Sequence, residues 1–336
     1  MRIALVTDAW RPQINGVVRT YENVTAHIES LGHQLLVVDP GHFQTIPCPT
    51  YPTIRLALLP ARRVRAMLDD FEPERLHIAT EGPIGQAAHR LCRQRQWAFT
   101  TSFHTQFPEY IRARLPVPLG WSYACLRRFH GHAERTLVPT QSQRERLESW
   151  GFRNLAIWAR GVDATQFQPY PESILDVPRP VLLYVGRVAV EKNIDAFLDL
   201  AHPGTKVVVG EGPAMNRLQS RYPDTMFVGA KVGEELGRYY ASADVFVFPS
   251  LTDTFGIVML EAMACGVPVA AFPVTGPIDV IEQGSTGIMD DDLDVAVERA
   301  LTLNPDPCIA YAASRTWANV GERFLSLLTP LIPETA

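Results

Sequence analysis

The sequence predicts an α/β protein built from parallel strand–helix–strand units and divided into two domains. Three observations carry this. Residues 244–273, DVFVFPSLTDTFGIVMLEAMACGVPVAAFP, begin with a short apolar run rich in β-formers, Val245–Phe248. A helix follows over 258–265, with Met259, Ala262 and Met263 at helical spacing and Gly266 as its stop; a second apolar run over 267–272 is closed by Pro273. That is the size of a parallel βαβ unit. The same order recurs at the start of the chain, as a strand over 3–7, a helix over 17–31 and a strand over 35–38. Finally, 336 residues are about twice a typical domain.

Composition narrows the class. The chain is 46% hydrophobic and 20% charged, ordinary for a globular protein, and no apolar run approaches a membrane span. MRIALVTDAW reads as a first strand and not as a signal peptide. Five scattered cysteines without a CxxC pair suit a reducing cytosol, without structural disulfides or zinc. The net charge of −5 conceals an asymmetry: residues 1–170 carry 20 Arg, no Lys and 14 acidic residues, and the remainder carries 11 basic and 22 acidic. A basic half suits an anionic membrane or nucleic acid, or simply solvates a surface.

The remaining elements follow in order. Residues 40–60 are Pro-rich and poorly periodic, hence loop and edge structure. Ala61–Phe71 is an amphipathic helix with three Arg. A strand over 76–78 leads to TEGPIG, where Glu81 and Pro83 suit a helix start, and that helix runs to Arg95. A strand over 99–102 ends at His104 in SFHTQFPEY. In 111–135, Trp121, Tyr123, Leu126 and Phe129 alternate with Arg112, Arg114, Arg127 and Arg128. This is the composition of a helix lying on a membrane surface or of a half-buried surface helix, and no nucleic-acid-binding motif accompanies it. Residues 169–180, with four prolines, read as a linker before the buried strand Val181–Val185. Strands over 206–209 and 226–229 and helices over 234–242 and 315–328 complete the chain.

The turn Ser250-Leu-Thr-Asp-Thr-Phe-Gly256 joins a strand to a helix at the strand's carboxyl end, where open α/β sheets bind ligands. Gly256 admits close backbone approach, and the helix start at Gly256, Ile257 and Val258 favours an anion such as phosphate. Carboxylates at Asp253 and Glu261 suit sugar hydroxyls, so the pair suggests a sugar nucleotide. A capped helix with Asp253 or Thr254 as N-cap is the plainer alternative. Asp292-x-Asp294 has a spacing that metal sites use, but acidic residues are equally favourable at a helix start.

The segment around EAMACGVPV resembles the donor-binding segment of family-4 retaining glycosyltransferases of the GT-B fold, whose pattern is Glu-x7-Glu around a Phe-Gly turn; here Asp253 replaces the first Glu. HTQFPEY resembles the family's His-Thr-x-x-Pro-x-Tyr segment. Arg160-Gly-Val-Asp163 with Phe167-x-Pro169 resembles its Asn-Gly-Val-Asp hinge, with Arg160 in place of Asn. Gly186-Arg187 with Glu191-Lys192-Asn193 and Gly210-Glu-Gly212-Pro213 match further segments. The resemblance implies two Rossmann-like doubly wound domains facing across a cleft: residues 1–170 on the acceptor side, 178–310 binding the nucleotide sugar, and a C-terminal helix within 311–330 crossing back to the first domain.

It also implies roles. Arg187 and Lys192 hold the donor diphosphate, and His104 and Asp253 meet the donor sugar. Glu261 holds the ribose, and Val228 ends a strand lining the base pocket. Asn15, Gly16, Gly186, Gly212, Thr254, Phe255, Gly256 and Ile257 contact the donor. Asp8, Glu81 and Tyr110 are expected on the acceptor side. The implied reaction moves a hexose from a nucleotide-diphosphate sugar (UDP- or GDP-hexose) to an acceptor hydroxyl with retention, without metal or other cofactor. Bacterial glycolipid-forming members are the nearest in pattern, which implies a lipid acceptor such as diacylglycerol, peripheral contact with the inner face of the cell membrane, and no nucleic-acid partner. A soluble or polysaccharide acceptor, or a non-catalytic sugar-nucleotide-binding protein, are the alternatives.

Overall fold

The computed structural model describes residues 1–336 except 14, 49–50, 115–116 and 333–336, and gives only the backbone of 51–53, 110–111 and 113–114. The chain folds into two units: Met1–Ala159 with Trp317–Ala336, and Arg160–Thr316.

The first unit contains β1 (Arg2–Val6), β2 (Gln34–Val38), the antiparallel pair β3 (Thr45–Cys48) and β4 (Tyr51–Ala57), β5 (Arg75–Ile78), β6 (Thr100–Ser102), β7 (Arg135–Val138) and β8 (Leu155–Ile157). Six of these form a parallel sheet in the order β2-β1-β5-β6-β7-β8. Side chains along a strand alternate between faces, and β1 shows the consequence. Ala4 and Val6 join a core with the helices Ala61–Phe71 and Pro83–Arg95, through Val64, Leu68, Ile84 and Ala88. Ile3 and Leu5 join a second core on the opposite face, with Tyr21, Val24 and Ile28 of helix Gly16–Ser30 and Val320, Phe324 and Leu327 of helix Trp317–Leu327. A sheet apolar on both faces requires helices on both, which is why β1 reads as a continuous apolar run.

The second unit contains β9 (Val181–Val185), β10 (Thr205–Val209), β11 (Met226–Phe227), β12 (Val245–Phe248), β13 (Val269–Ala271) and β14 (Gly287–Met289), all parallel, in the order β11-β10-β9-β12-β13-β14. Leu183 and Phe246 face one core with Met259 and Met263; Leu182 and Val247 face the other with Ile194, Phe197 and Ala296. The Gly-x-x-Gly spacing of residues 284–287 reads from sequence as a turn, and in the structure it leads directly into β14. Gly287 makes this pairing possible, because a Cβ there would lie 2.3 Å from the Val269 carbonyl oxygen. The Pro-rich run 169–180 belongs to the second unit. Ile174 N–H donates to Ser242 Oγ (3.0 Å) and Arg179 pairs with Asp244 (2.5 Å), which tie the run down.

Counted within each unit, the second sheet has the order 3-2-1-4-5-6, and the first has 2-1-3-4-5-6. In such sheets the chain reverses its direction of winding between two neighbouring strands, and the loops beyond their carboxyl ends part to leave a crevice. The switch points fall between β9 and β12 in the second unit and between β1 and β5 in the first.

Candidate active site

At the second unit's switch point the loops after β9 and β12 are joined by charge. The chain leaves β9 through Gly186 and Arg187 into a single turn, Val190–Lys192. Lys192 Nζ donates to Asp253 Oδ1 at 2.6 Å, with the two side chains 23% and 18% exposed. Asp253 Oδ2 is buried and makes no hydrogen bond among the described residues. A buried carboxylate oxygen without a donor is costly, so this atom is poised to accept from a ligand hydroxyl. Asn193, at φ +51°, donates from Nδ2 to the Pro249 carbonyl oxygen (3.0 Å) and fixes one loop to the other.

The loop after β10 packs on the loop after β9. Gly210, at φ +144°, brings its backbone so close that a Cβ would lie 1.9 Å from the Gly186 carbonyl oxygen. Val188 N–H donates to the Glu211 carbonyl oxygen (2.9 Å), and Ala214 N–H donates to that of Val188 (3.0 Å), lacing Gly212 into the same rim. Val228, just past β11, is half-buried and donates its N–H to the Val208 carbonyl oxygen (3.1 Å).

Beyond β12, the helix Ile257–Ala264 is capped by Gly256 at φ +82°, without a side-chain cap, so neither Asp253 nor Thr254 serves as N-cap. The N–H groups of the first helical turn have no intrahelical acceptor and the macrodipole is positive there, which favours a phosphate. Arg187, Thr254 and Ile257 are half-buried at this rim, and Phe255 packs into the core. Glu261, one turn into the helix, is 2% exposed and accepts a hydrogen bond from Tyr240 OH on Oε2 (3.0 Å). Asp292 and Asp294 act structurally: Asp292 Oδ1 accepts from the Asp294 N–H (3.0 Å) and Asp294 Oδ1 from the Ala201 N–H (2.9 Å).

In the first unit the switch point is joined by neutral hydrogen bonds and a buried carboxylate. Asp8, past β1, accepts from the Ile84 N–H (2.8 Å), the Gly85 N–H (3.2 Å) and Thr80 Oγ1 (2.9 Å). It thereby caps helix Pro83–Arg95, and burial raises its pKa. Glu81 is held by the fully buried His130, whose Nε2 lies 3.0 Å from Glu81 Oε1 and whose Nδ1 lies 2.9 Å from Thr101 Oγ1. Asn15 Oδ1 caps helix Gly16–Ser30 by accepting from the Val17 and Val18 N–H groups (both 3.0 Å), with Gly16 exposed as the first helical residue. Tyr110 lies on helix Phe107–Arg114, and its side chain falls outside the described residues.

His104 follows β6 and is half-buried. Its Nε2 lies 2.9 Å from the Tyr21 hydroxyl, which also lies 2.8 Å from His77 Nε2 and 3.0 Å from Ser102 Oγ. Burial depresses the His77 pKa to about 3, so this imidazole is neutral. Sequence reasoning gave no role to Tyr21, His77, Ser102 or Tyr240, and named Asn193 only as part of a matching segment. His77 carried a signal: a histidine inside the buried strand RLHI requires polar partners.

Residues 14–166 match the sequence family Glycosyltransferase Family 4, and residues 179–303 match Glycosyl transferases group 1. A GDP-mannose-dependent alpha-mannosyltransferase of Corynebacterium glutamicum is 31% identical over 320 residues, covering 88% of this chain and 78% of that one. The chain belongs to glycosyltransferase family 4. This glycosyltransferase is also 25% identical over 352 residues to an alpha-monoglucosyldiacylglycerol synthase of Streptococcus pneumoniae, covering 91% and 79% of the two chains. Among solved structures, a sucrose-phosphate synthase of Thermosynechococcus elongatus superposes with a TM-score of 0.80 at 19% identity, covering 97% of this chain and 98% of that one. The fold is GT-B, and the enzyme uses a nucleotide sugar.

Proposed function

We propose that this glycosyltransferase moves a hexose from a GDP- or UDP-hexose to the hydroxyl of a membrane lipid such as diacylglycerol, retaining anomeric configuration and using no metal. The observation that carries the reading is the Lys192–Asp253 pair across the switch point, with Asp253 Oδ2 buried and, among the described residues, without a hydrogen bond. In this reading Arg187 and Lys192 bind the donor diphosphate together with the N-terminus of helix Ile257–Ala264, doing in place of a metal what two cations and a helix dipole can do. Asp253 and His104 accept from sugar hydroxyls, and Glu261 orients the ribose. As the bond from C1 to the phosphate oxygen breaks, the acceptor oxygen attacks from the same face, and its proton passes to the departing phosphate.

GDP-mannose is the first donor to test, because the relatives that are 31% identical over 320 and 315 residues are named for it. The lipid acceptor draws support from the diacylglycerol-named relatives and from the surface of the first unit. Trp121 is 76% exposed on helix Leu119–His130 and shares its outer face with Ala124, Cys125 and Arg128. Leu58 and the 95% exposed Leu59 lead into helix Ala61–Phe71, where Arg62, Arg63 and Arg65 are exposed. Exposed apolar side chains beside arginines suit the interface of an anionic bilayer. Among the described residues, no helix is long and apolar enough to cross a membrane, so the contact proposed is peripheral.

Two experiments test this. Thermal unfolding with GDP, UDP, ADP and their hexose derivatives, without metal, is expected to show stabilisation by one nucleotide class; no shift with any of them, with or without magnesium, would remove the donor assignment. Radiolabelled donor with vesicles of dioleoylglycerol and anionic phospholipid is expected to yield a chloroform-soluble product. Label appearing only in free sugar or in a water-soluble acceptor would reject the lipid reading.

A further inference from the structure

We propose that Tyr184 is a positioning residue for Arg187: from the core beneath the crevice its hydroxyl donates to the Arg187 carbonyl oxygen and fixes the stretch of backbone from which the arginine reaches the donor diphosphate. The inference rests on the reading above that Arg187 binds that diphosphate.

Tyr184 stands next to last in β9. It is 3% exposed and shares a face of the strand with Leu182, in the core with Phe197, whose ring lies 6.0 Å away. Every other residue of VLLYV is aliphatic, and a phenylalanine would fill the same space. A buried phenol requires a hydrogen-bond partner. The hydroxyl finds one outside the core, donating to the Arg187 carbonyl oxygen at 2.9 Å. Burial raises the Tyr184 pKa, so the hydroxyl keeps the proton that it donates.

The phenol reaches that carbonyl past Gly186. A Cβ there would lie 2.9 Å from the Tyr184 hydroxyl oxygen and 3.3 Å from its Cζ, so the bare backbone of the glycine leaves the ring end its room. The peptide that joins Arg187 to Val188 is then held from both edges. Its carbonyl accepts from Tyr184, and its N–H, on Val188, donates to the Glu211 carbonyl oxygen at 2.9 Å. A trans peptide is planar with its C=O and N–H pointing opposite ways, so two such bonds fix how the plane is turned. One residue earlier, Gly186 N–H donates to the Val209 carbonyl oxygen (3.0 Å) and fixes where the chain passes. Without the tyrosine bond the peptide can rotate about its remaining one. That rotation turns the Arg187 Cα, and a long side chain amplifies it at the guanidinium. Small misplacements of a group that orients substrate are costly.

The test is a double-mutant cycle on nucleotide affinity, measured by isothermal titration with whichever of GDP and UDP stabilises the wild type. Tyr184→Phe keeps the ring against Phe197 and is expected to melt near the wild-type temperature. Its affinity is expected to fall about fivefold, the equilibrium effect of one neutral hydrogen bond, and that of Arg187→Ala about a hundredfold, as loss of a strong charged one gives. In the Arg187→Ala background, Tyr184→Phe is expected to cost nothing further, because the residue acts through the arginine. An equal loss in both backgrounds would mean that Tyr184 supports the loop at large, and wild-type affinity in Tyr184→Phe would mean that the donor does not feel the bond; either overturns the proposal. Wild-type affinity in Arg187→Ala would instead overturn the site reading beneath it, and the proposal with it.

Discussion

The two switch points are built alike and furnished differently. In the second unit, an ammonium and a carboxylate meet across the crevice at 2.6 Å. In the first, a phenol, the neutral His77, His104 and hydroxyls hold one another, and the deeply buried carboxylate of Asp8 is spent on a helix cap. The difference follows from what each end can repay. A charged pair near a helix N-terminus suits a ligand that carries charge of its own, because its diphosphate can take over the cation. A neutral network confers no such attraction, but it holds ring orientations at the cost of a few mutually satisfied hydrogen bonds.

The sharpest way to break this contrast is Lys192→Ala. It removes a diphosphate ligand and leaves Asp253 buried without its cation. Turnover is expected to fall by roughly a thousandfold, the upper range for loss of one electrostatic contact in a closed site, and nucleotide-induced thermal stabilisation should fall with it. Asp8→Ala is expected to cost about 1–2 kcal/mol of stability through the lost cap, seen as a lower Tm, while nucleotide binding is retained. Equal loss of both properties would mean that Asp8 contacts ligand.

The neutral network makes its own prediction in pH. The folded-state pKa of His77 is depressed by burial to about 3, from an ordinary value near 6.5, and outside that network burial depresses His89, on helix Pro83–Arg95, to about 4. Below pH 6.5 the unfolded chain takes up protons that the folded one refuses. The stability these groups confer is therefore complete above that pH and is lost as pH falls toward 4, at up to about 1.4 kcal/mol per unit for each group. Denaturant titrations of wild type and His77→Gln at pH 7 and 5 should show a shallower slope in the variant. The smallest effect is expected at Trp121→Ala. A side chain 76% exposed contributes little to folding, so Tm should be unchanged while flotation with anionic vesicles weakens.

What could be read from sequence follows the same division. The strands were legible because parallel strands buried on both faces are continuous apolar runs, as in VLLYV and VFVF. The second unit's site was legible because charge is conspicuous: Arg187, Lys192, Asp253 and Glu261 stand out from their neighbours. The first unit's network was not, because Tyr21 and Ser102 are ordinary in their local patterns. Tyr21 lies on the same buried stripe as Val24 and Ile28, and only the folded sheet brings it to His77 and His104. β14 was missed because three residues bounded by glycine carry too little periodicity to outweigh a turn signal.

The chain enters the second unit at Arg160, leaves it at Thr316, and returns to add helix Trp317–Leu327 to the first. Near those ends Val162 N–H donates to the Arg315 carbonyl oxygen (2.9 Å) and Val162 pairs with Thr316. The second unit is thus an insertion whose entry and exit are stitched together, and the first is a discontinuous domain completed only by chain made after the insertion. Val320, Phe324 and Leu327 fill the core against Ile3 and Leu5. A nascent chain stopped at residue 316 therefore holds every residue of the inserted module but leaves one face of the first sheet with helix Gly16–Ser30 alone against it.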